Sequence, residues 1–359
     1  MAKYETICEL MERRIRLGDY AMKEIPPEER LASEVGVSRM TARRAVMRLV
    51  ERGILVRKPN GRVVVNRKSV EGDAPPQIAL LMPAFVSATF ERWVTSAEIA
   101  ANKLHMRVRK VDYVHWDDPT IAETFESFDG VFLVPSSETV PPQIMQRFRS
   151  QTTPLVVLDS DWSSDGIRSI DLSPPRQVRT LLDHLWDLGH RRIACLNTQP
   201  HTSVVIARLD ERTAWEAERG VSGRLIDEPV QPRGDTTVKA YDMMSKFLQA
   251  RRPDFTAIVA TTVTPAVGAM RALYEAGVEV GREVSLCAVN DEGLARFLCP
   301  SLTCTQMADP EPFLAVGYEW MTGRGAWDES KLLLQPADVS LFKGESTGPC
   351  LDGKARTSV

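Results

Sequence analysis

A short stretch near the N-terminus most constrains what this chain can fold into, because it specifies two short helices joined by a tight turn. Residues 31–46 read LASEVGVSRMTARRAV. Gly36 suits the turn, since glycine readily adopts the left-handed backbone that such turns need. Ser38 carries a hydroxyl that can cap the next helix by accepting a backbone N–H. The pattern therefore predicts that the third helix of the chain begins at Arg39.

This third helix has an apolar face and a cationic face. Apolar residues recur every three to four positions, the spacing that buries one side of a helix. They are Ala42, Ala45, Val46 and Leu49, expected to pack on Ile7, Leu10, Met11 and Ile15 of the first helix. The opposite side carries Met40, Arg43, Arg44 and Met47. Guanidinium groups placed in this way suit a DNA major groove, where they can meet phosphates or guanine edges.

A β-hairpin is predicted directly after this helix. Gly53 ends the helix, and the β-branched segments 54–56 and 63–65 flank a turn that reads KPNGR. Such a hairpin places its cationic tip along the DNA backbone, as the wing of a winged helix does. The residues predicted to contact DNA are Arg30, Ser38, Arg39, Met40, Thr41, Arg43, Arg44, Lys58, Gly61 and Arg62.

The charge distribution supports this interpretation. Residues 1–68 contain 16 Lys and Arg against 9 Asp and Glu, a formal charge of +7, whereas the rest of the chain carries −10. Arginines on a helix are usually a solvated face, but a basic first segment on an acidic body is expected when only that segment approaches a polyanion.

Length and composition predict a multidomain protein of 359 residues, since domains average about 150 residues. We expect a winged-helix domain at 1–66, a linker at 67–76, a body at 77–347 and a flexible tail at 348–359. The chain has no apolar run long enough to span a bilayer and no signal-peptide core, so we expect a cytoplasmic location and no membrane contact. The six cysteines form no Cys-x-x-Cys pair and are expected to be reduced thiols.

In the body, strand-like apolar runs alternate with helical segments, a pattern that predicts parallel sheets flanked by helices. The runs are 78–82, 130–134, 155–158, 192–196, 257–260 and 285–289, and the best-marked helices are 175–188 and 265–276. About 280 residues of this pattern are more than one doubly wound sheet needs. We therefore expect two lobes, each with a parallel sheet, and a cleft between them.

The chain resembles two known families, one in each part. The segments 25–28, 31–44 and 53–55 resemble the winged helix of GntR regulators. The body resembles the effector domains of LacI/GalR regulators, which are related to periplasmic sugar-binding proteins. That second resemblance lies in the segments 184–194, 268–277, 280–291, 300–303 and 332–347. The combination is similar to the hybrid arrangement of arabinose-repressor-like transcriptional regulators.

The resemblance implies a dimeric regulator, favoured to be a repressor, that binds near-palindromic operator DNA. A small molecule, a sugar or sugar derivative, would bind between the lobes and control that affinity. By this resemblance Asp159 is a ligand-contacting aspartate, and either Arg208 or Arg212 is the cleft arginine. Phe85 and Phe90 are placed to stack on an apolar ligand face, although core packing is the alternative for each ring.

Three positions depart from the family patterns. Asn290 stands where an aspartate is frequent, and Thr261-Thr262 stands where Asn-Asp is usual, so two acidic acceptors are absent. The resemblance still places Thr261 and Asn290 among the predicted effector contacts. Either the effector is not a common hexose, or other residues make the contact, or the cleft binds no ligand. In the first domain Glu29-Arg30 replaces the usual Arg-Glu order, which leaves Arg30 to reach the DNA backbone instead.

No catalytic residue, metal or cofactor is predicted. The chain has no dinucleotide-binding, Walker, zinc-protease or hydrolase-elbow motif. Residues 115–118 read HWDD, but without a second His or Cys cluster we interpret them as a polar loop. The alternative function is a cytoplasmic sugar-binding or sugar-modifying protein without sequence-specific DNA binding.

Overall fold

The computed structural model describes residues 3–20, 25–58, 61–66, 75–85, 87–250, 252–328 and 330–351. Within them the chain forms a small head, made of three helices and a hairpin, and two α/β lobes that each enclose a six-stranded sheet. This architecture confirms the fold predicted from the sequence. None of the helices in these ranges combines the length and apolar character that a bilayer crossing requires.

The head follows the predicted local signals closely. It contains α1 (Lys3–Arg16), α2 (Glu28–Val35), α3 (Arg39–Glu51), β1 (Leu55–Arg57) and β2 (Val63–Val65). Gly36 caps α2 in the left-handed conformation with φ of 66°. The Ser38 hydroxyl accepts a hydrogen bond from the Thr41 N–H, so α3 begins at Arg39 as predicted.

The apolar stripe of α3 forms the centre of the head core. The four stripe residues are at most 2% exposed, and on α1 Ile7, Met11 and Ile15 are buried against them whereas Leu10 is half-buried. Burial of one face fixes which residues of α3 point outward. The cationic face of the helix is therefore held toward solvent.

The first lobe is built on an entirely parallel sheet. Its elements are β3 (Gln77–Pro83), α4 (Ala88–Lys103), β4 (Arg107–Tyr113), α5 (Pro119–Ser127), β5 (Gly130–Leu133), α6 (Pro142–Arg149), β6 (Leu155–Leu158) and β7 (Arg168–Ile170), joined later in the chain by α11 (Glu311–Met321) and β13 (Leu333–Leu334). The strand order is β13-β7-β6-β5-β3-β4. One apolar cluster covers each face of the sheet.

The second lobe repeats this plan with one antiparallel edge. Its elements are α7 (Arg176–Asp187), β8 (Ile193–Asn197), α8 (Ser203–Arg219), β9 (Leu225–Asp227), α9 (Thr236–Ala250), β10 (Ala257–Ala260), α10 (Val263–Glu275), β11 (Ser285–Ala288), β12 (Thr303–Gln306) and β14 (Ser340–Phe342). The strand order is β14-β12-β11-β10-β8-β9, with β14 antiparallel to β12. Short 3-10 turns occur at Ser163–Asp165 and Ala295–Phe297.

In the described part of the chain, three segments cross between the lobes. They are 171–175, 307–310 and 335–339. The segment 332–347 contains two strands, β13 and β14, that belong to different sheets. The two lobes are therefore joined by three chain segments.

The tail prediction is wrong at its start, because residues 348–350 pack on the second lobe. The Cys350 N–H donates to the Leu188 carbonyl at 2.8 Å, and the Gly348 carbonyl lies 3.0 Å from His190 Nε2. The body therefore extends at least to Cys350, and residues 352–359 lie outside the described residues. All six cysteines are free thiols, and four of them are buried.

The head contacts the first lobe at its nearest edge. Gln77 Nε2 donates to the Ile15 carbonyl at 3.4 Å, and Arg109 of β4 lies 3.6 Å from the Asp19 carboxylate. Gly18 approaches so closely that an added Cβ would lie 2.6 Å from Gln77 Oε1. Of the predicted linker, residues 67–74 lie outside the described residues, so these contacts are the described link between head and body.

Candidate DNA interface and inter-lobe cleft

The outward face of α3 presents two arginines and two exposed methionines. Met40 is 71% exposed and Met47 is 48% exposed, and Arg43 and Arg44 are also exposed. The Arg44 guanidinium lies 4.8 Å from the centre of the Tyr4 ring, which holds it on this face. Cationic groups and apolar side chains together match a major groove, which offers guanine acceptors and thymine methyl groups.

Arg39, at the first turn of α3, is already ion-paired. Its Nη1 lies 2.7 Å from Glu29 Oε1, and its Nε lies 4.0 Å from Glu28 Oε2. Both partners of the shorter pair are well exposed. Glu29 is thus ion-paired with Arg39, a residue that the sequence analysis predicts to contact DNA.

The other predicted contacts on α2 and at the α3 cap are tied into local networks. Arg30 Nε lies 3.3 Å from Glu34, whose carboxylate also binds Arg14 at 2.9 Å. The Ser38 and Thr41 hydroxyl oxygens are 2.8 Å apart. These hydroxyls therefore stabilise the start of α3 in addition to any contact with DNA.

The hairpin forms as predicted, with β1 and β2 antiparallel. The Lys58 N–H donates to the Arg62 carbonyl at 2.8 Å, and Gly61 has φ of 82°. Lys58, Gly61 and Arg62 are all exposed, whereas Pro59 and Asn60 lie outside the described residues.

A cavity of about 570 Å³ lies between the two lobes. Its walls come from loops that follow the carboxyl ends of strands in both sheets, the usual position of ligand sites in open α/β folds. The first lobe contributes Phe85, Phe90, Asp159 and Trp162, and the second contributes Gln199, Arg208, Thr262, Asn290 and Glu292, among other residues. The sequence-predicted Phe85, Phe90, Asp159, Arg208 and Asn290 are thus brought together.

Three of the cavity residues have left-handed backbone. Asp159, Asn290 and Glu292 have φ of 57°, 65° and 45°. Residues other than glycine adopt this conformation at a cost and do so preferentially at functional sites. The unusual backbone conformation therefore occurs where the chain lines the cleft, just after the carboxyl ends of β6 and β11.

The structure decides between the two candidate arginines. Arg208 lines the cavity, and its Nη1 donates to the Thr261 carbonyl at 3.0 Å. Arg212 lies one turn further along α8 and binds Glu216 at 2.7 Å and the Gly223 carbonyl at 2.8 Å, away from the cavity. The prediction of Arg212 as a ligand contact is wrong, because this buried ion pair occupies its guanidinium.

Thr261 also needs correction. It is 1% exposed, and its hydroxyl donates to Asn197 Oδ1 at 2.7 Å, behind the cavity wall. Its neighbour Thr262 lines the cavity and accepts from Gln199 Nε2 at 2.8 Å. Both residues lie in the short turn between β10 and α10, where Thr262 faces the cavity and Thr261 faces the protein interior.

Comparisons with known proteins agree with this two-part organisation. Residues 3–65 match the family of bacterial regulatory proteins called gntR, and residues 182–311 match the periplasmic binding protein-like domain. The chain joins a GntR-type helix-turn-helix head to a periplasmic-binding-protein-like body.

The relatives of this head-and-body chain are regulators. It is 35% identical to the HTH-type transcriptional regulator AglR of Rhizobium meliloti over 107 residues, 30% of this chain and 29% of that one. It is 30% identical to the ribose operon repressor of Escherichia coli over 182 residues, 49% of this chain and 52% of that one. The chain therefore spans between about a third and half the length of these two relatives.

The fold is also similar to that of solved LacI-type structures. A Lac repressor bound to ONPG in its repressed state superposes with a TM-score of 0.64 and 19% identity, over 86% of this chain and 90% of that one. At this identity the likeness concerns the fold.

Acidic groups dominate the electrostatics of the cleft in the periplasmic-binding-protein-like body. Burial, with the neighbouring carboxylates of Asp171 and Glu292, raises the pKa of Asp159 to about 7 although Arg208 opposes the shift. Burial likewise raises the pKa of Asp171 and that of Glu292. Burial lowers the pKa of Arg208, against the pull of these three carboxylates. Several acids thus share one buried arginine.

An aromatic wall completes the cleft on the side of the first lobe. The Phe85 and Phe90 rings lie 4.8 Å apart, and Trp162 lines the same cavity. Sequence reasoning missed Trp162, Gln199 and Glu292. For Glu292 a signal existed, because the polar stretch NDEG begins two residues after the end of the buried strand β11.

Two arginine side chains, Arg92 and Arg233, make contacts between the lobes. Arg92 of α4 lies 3.9 Å from Asp291 of the second lobe, and its Nη2 donates to the Met307 carbonyl of a crossing segment at 2.8 Å. Arg233 of the second lobe reaches the Val114 carbonyl of the first. These contacts belong to one arrangement of the lobes and must break or shift if the angle between them changes.

Proposed function

We propose that this chain is a DNA-binding transcriptional repressor whose affinity for an operator is controlled by a small molecule in the inter-lobe cleft. One observation carries the proposal. The exposed arginines of α3 sit on a basic head, and that head is joined to a two-lobed body whose cavity contains the buried Arg208. The similarity to transcriptional regulators supports the same class.

In this proposal the chain acts as a homodimer on a near-palindromic operator, since a two-fold protein requires a two-fold site. Each α3 enters a major groove with Arg39, Thr41, Arg43 and Arg44. The wing lies along the backbone through Lys58 and Arg62, and Arg30 contacts phosphate from α2. In this proposal the head is residues 1–66, the linker is residues 67–76 and the body begins at residue 77.

The cleft would hold a sugar or sugar derivative. Asp159 is placed to accept hydrogen bonds from hydroxyl groups, and Arg208 to donate them. Asn290 and Thr262 add neutral partners, and the Phe85–Phe90 pair offers an apolar surface for a ring face. In this proposal the site binds its ligand without catalysing a reaction. The protein acts in the cytoplasm.

Ligand binding would change the angle between the lobes, and the head would follow the first lobe. The contacts of Gln77 with Ile15 and of Arg109 with Asp19 provide a physical connection. A coupling of about 1 to 3 kcal/mol between ligand and operator is typical of such regulators. It is enough to release DNA if the liganded spacing of the heads misfits the operator.

A gel-shift titration on DNA from the chain's own promoter tests the proposal. The wild-type chain should form a complex that survives excess competitor DNA, and the double variant Arg43→Ala, Arg44→Ala should lose it. Arg282→Ala is the matched control, because Arg282 is an exposed arginine of the second lobe far from the head. A wild-type complex that competitor DNA abolishes would favour a sugar-binding protein without sequence-specific recognition.

A further inference from the structure

The inter-lobe cleft is lined by more carboxylates than cationic side chains. Asp159 comes from the first lobe and Glu292 from the second, and both line the cavity. In the described ranges, neither carboxylate has a lysine, arginine or histidine within ion-pair distance. Three further carboxylates, Glu138, Asp161 and Asp165, line the same cavity, and of these Asp165 is ion-paired with Arg149.

The cationic side chains of the cavity do not balance this charge. His201 is bound to Asp227 at 2.8 Å, so its partner lies outside the cavity lining. Arg208 is 6% exposed, and its Nε has no hydrogen-bond partner. A buried N–H donor without a hydrogen-bond acceptor destabilises the folded protein unless a ligand atom accepts from it. The unpartnered Nε of Arg208 is therefore an independent indication of a ligand site.

We infer that the cleft selects a hydroxylated cation, such as an amine-bearing sugar, over its neutral and acidic counterparts. This inference rests on the proposed function and specifies the ligand class of that same site. Arg208 donates to a hydroxyl or ring oxygen of the ligand. The protonated amine lies between the carboxylates of Asp159 and Glu292.

The positions of the two acids explain how such a ligand acts. When the cleft is empty, repulsion between these facing carboxylates in partly desolvated surroundings favours a proton on Asp159, whose pKa is raised in part by Glu292. A cation between Asp159 and Glu292 replaces this repulsion with two attractions, one to each lobe. Binding therefore draws the lobes together, whereas an anion would add to the repulsion.

The remaining lining suits the hydroxylated part of the ligand. The Phe85–Phe90 pair and Trp162 form an apolar wall, and Gln199 with Thr262 offers amide and hydroxyl groups opposite. A cavity of about 570 Å³ is large enough for a monosaccharide or a small glycoside.

Calorimetry with matched ligand sets tests the inference on the full-length protein. Each set contains an amino sugar, its parent hexose and its uronate, in the gluco, galacto and manno series, at pH 7. We expect an amino sugar to bind at least about tenfold more tightly than its parent hexose, with no measurable binding of the uronate. Glu292→Gln should reduce amino-sugar binding about tenfold and remove the preference over the hexose.

Glu123→Gln is the control, since Glu123 is exposed on α5 outside the cavity and its substitution should leave binding unchanged. The inference is overturned if a hexose or uronate binds as tightly as its amino sugar, or if no member of the three sets binds. Gel shifts without ligand distinguish a failure of the proposed ligand class from a failure of the proposed repressor function. A competitor-resistant operator complex alongside a failed ligand series rejects only the ligand class, whereas its absence rejects the proposed repressor itself.

Discussion

Arg39 at the start of α3 binds Glu29 of α2 at 2.7 Å, so a cation on the DNA-facing helix is neutralised by the preceding helix. Exposed ion pairs of this kind contribute at most about 1 kcal/mol. The pair can therefore open on DNA, but the carboxylate remains close to a polyanion. Glu29 is expected to limit the affinity of the head for its operator.

Glu29→Gln should consequently raise operator affinity about three- to fivefold, since it frees Arg39 and removes a negative charge from the interface. Fluorescence anisotropy on labelled operator DNA measures the change. Glu9→Gln, an exposed substitution on α1, is the control. Equal affinities for both variants and the wild type would remove Glu29 from the interface.

Arg62→Ala should flatten the salt dependence of operator binding. Each lost phosphate contact lowers the slope of log K against log salt by about 0.9 per head. Affinity measured between low and moderate salt gives this slope. Arg107→Ala, an exposed position on β4, should leave it unchanged. An unaltered slope for Arg62→Ala would place the wing away from the DNA.

Arg208 and Arg212 should respond in opposite ways to replacement by methionine. Arg208→Met removes a buried guanidinium with an unpartnered Nε, so ligand response is lost. The carboxylates near Arg208 have raised pKa values and can take up a proton at mildly acidic pH, so the melting temperature there is kept. Arg212→Met leaves Glu216 buried without its partner, which should cost about 3 kcal/mol of stability.

Thermal melts together with ligand-dependent release of operator DNA distinguish the two variants. If Arg208→Met unfolds the protein and Arg212→Met does not, the assignment of structural and ligand-binding arginines is reversed.

Asp159→Asn should change how stability depends on pH. Asp159 has a pKa of about 7 in the fold against an ordinary 3.8, so between these values the folded chain keeps a proton that the unfolded chain has released. The free energy of unfolding therefore falls as pH rises through that window. The variant lacks this penalty and should be more stable at pH 8, by up to about 4 kcal/mol, with no advantage near pH 4.

Urea denaturation from pH 4 to pH 8 measures this difference. Asp117→Asn, at an exposed loop carboxylate, should follow the wild-type profile. Parallel stability curves for Asp159→Asn and the wild type would show that Asp159 is not held in an unfavourable environment.

Gly268→Ala should destabilise the second lobe. Gly268 lets α10 approach α9 so closely that an added Cβ would lie 2.2 Å from the Thr237 carbonyl oxygen. Forcing the helices apart should cost about 1 to 3 kcal/mol, seen as a lower denaturation midpoint. Asp242→Ala, on the exposed side of α9, should stay within about 0.5 kcal/mol of the wild type.

Local signals were sufficient to predict the head and the central strands. A cap at Ser38, a turn at Gly36 and one apolar stripe placed α3 correctly, because each acts over a few residues. Fully buried strands such as β6 and β10 appear in the sequence as continuous apolar runs. Edge strands were missed: β4 and β9 are partly exposed and carry polar residues, so neither shows such a run.

The sequence by itself determined that a basic helix-turn-helix precedes alternating strands and helices, and that Asp159 and Asn290 follow buried strands. It could not choose between Arg208 and Arg212, which lie one turn apart on the same side of α8 and are both buried. Only the tertiary structure decided that, by providing Glu216 for one arginine and the cleft for the other. Two further features depend on how separate elements pack, which local periodicity does not encode. They are the ion pair between Glu29 and Arg39 and the position of Glu292 opposite Asp159 in the cleft.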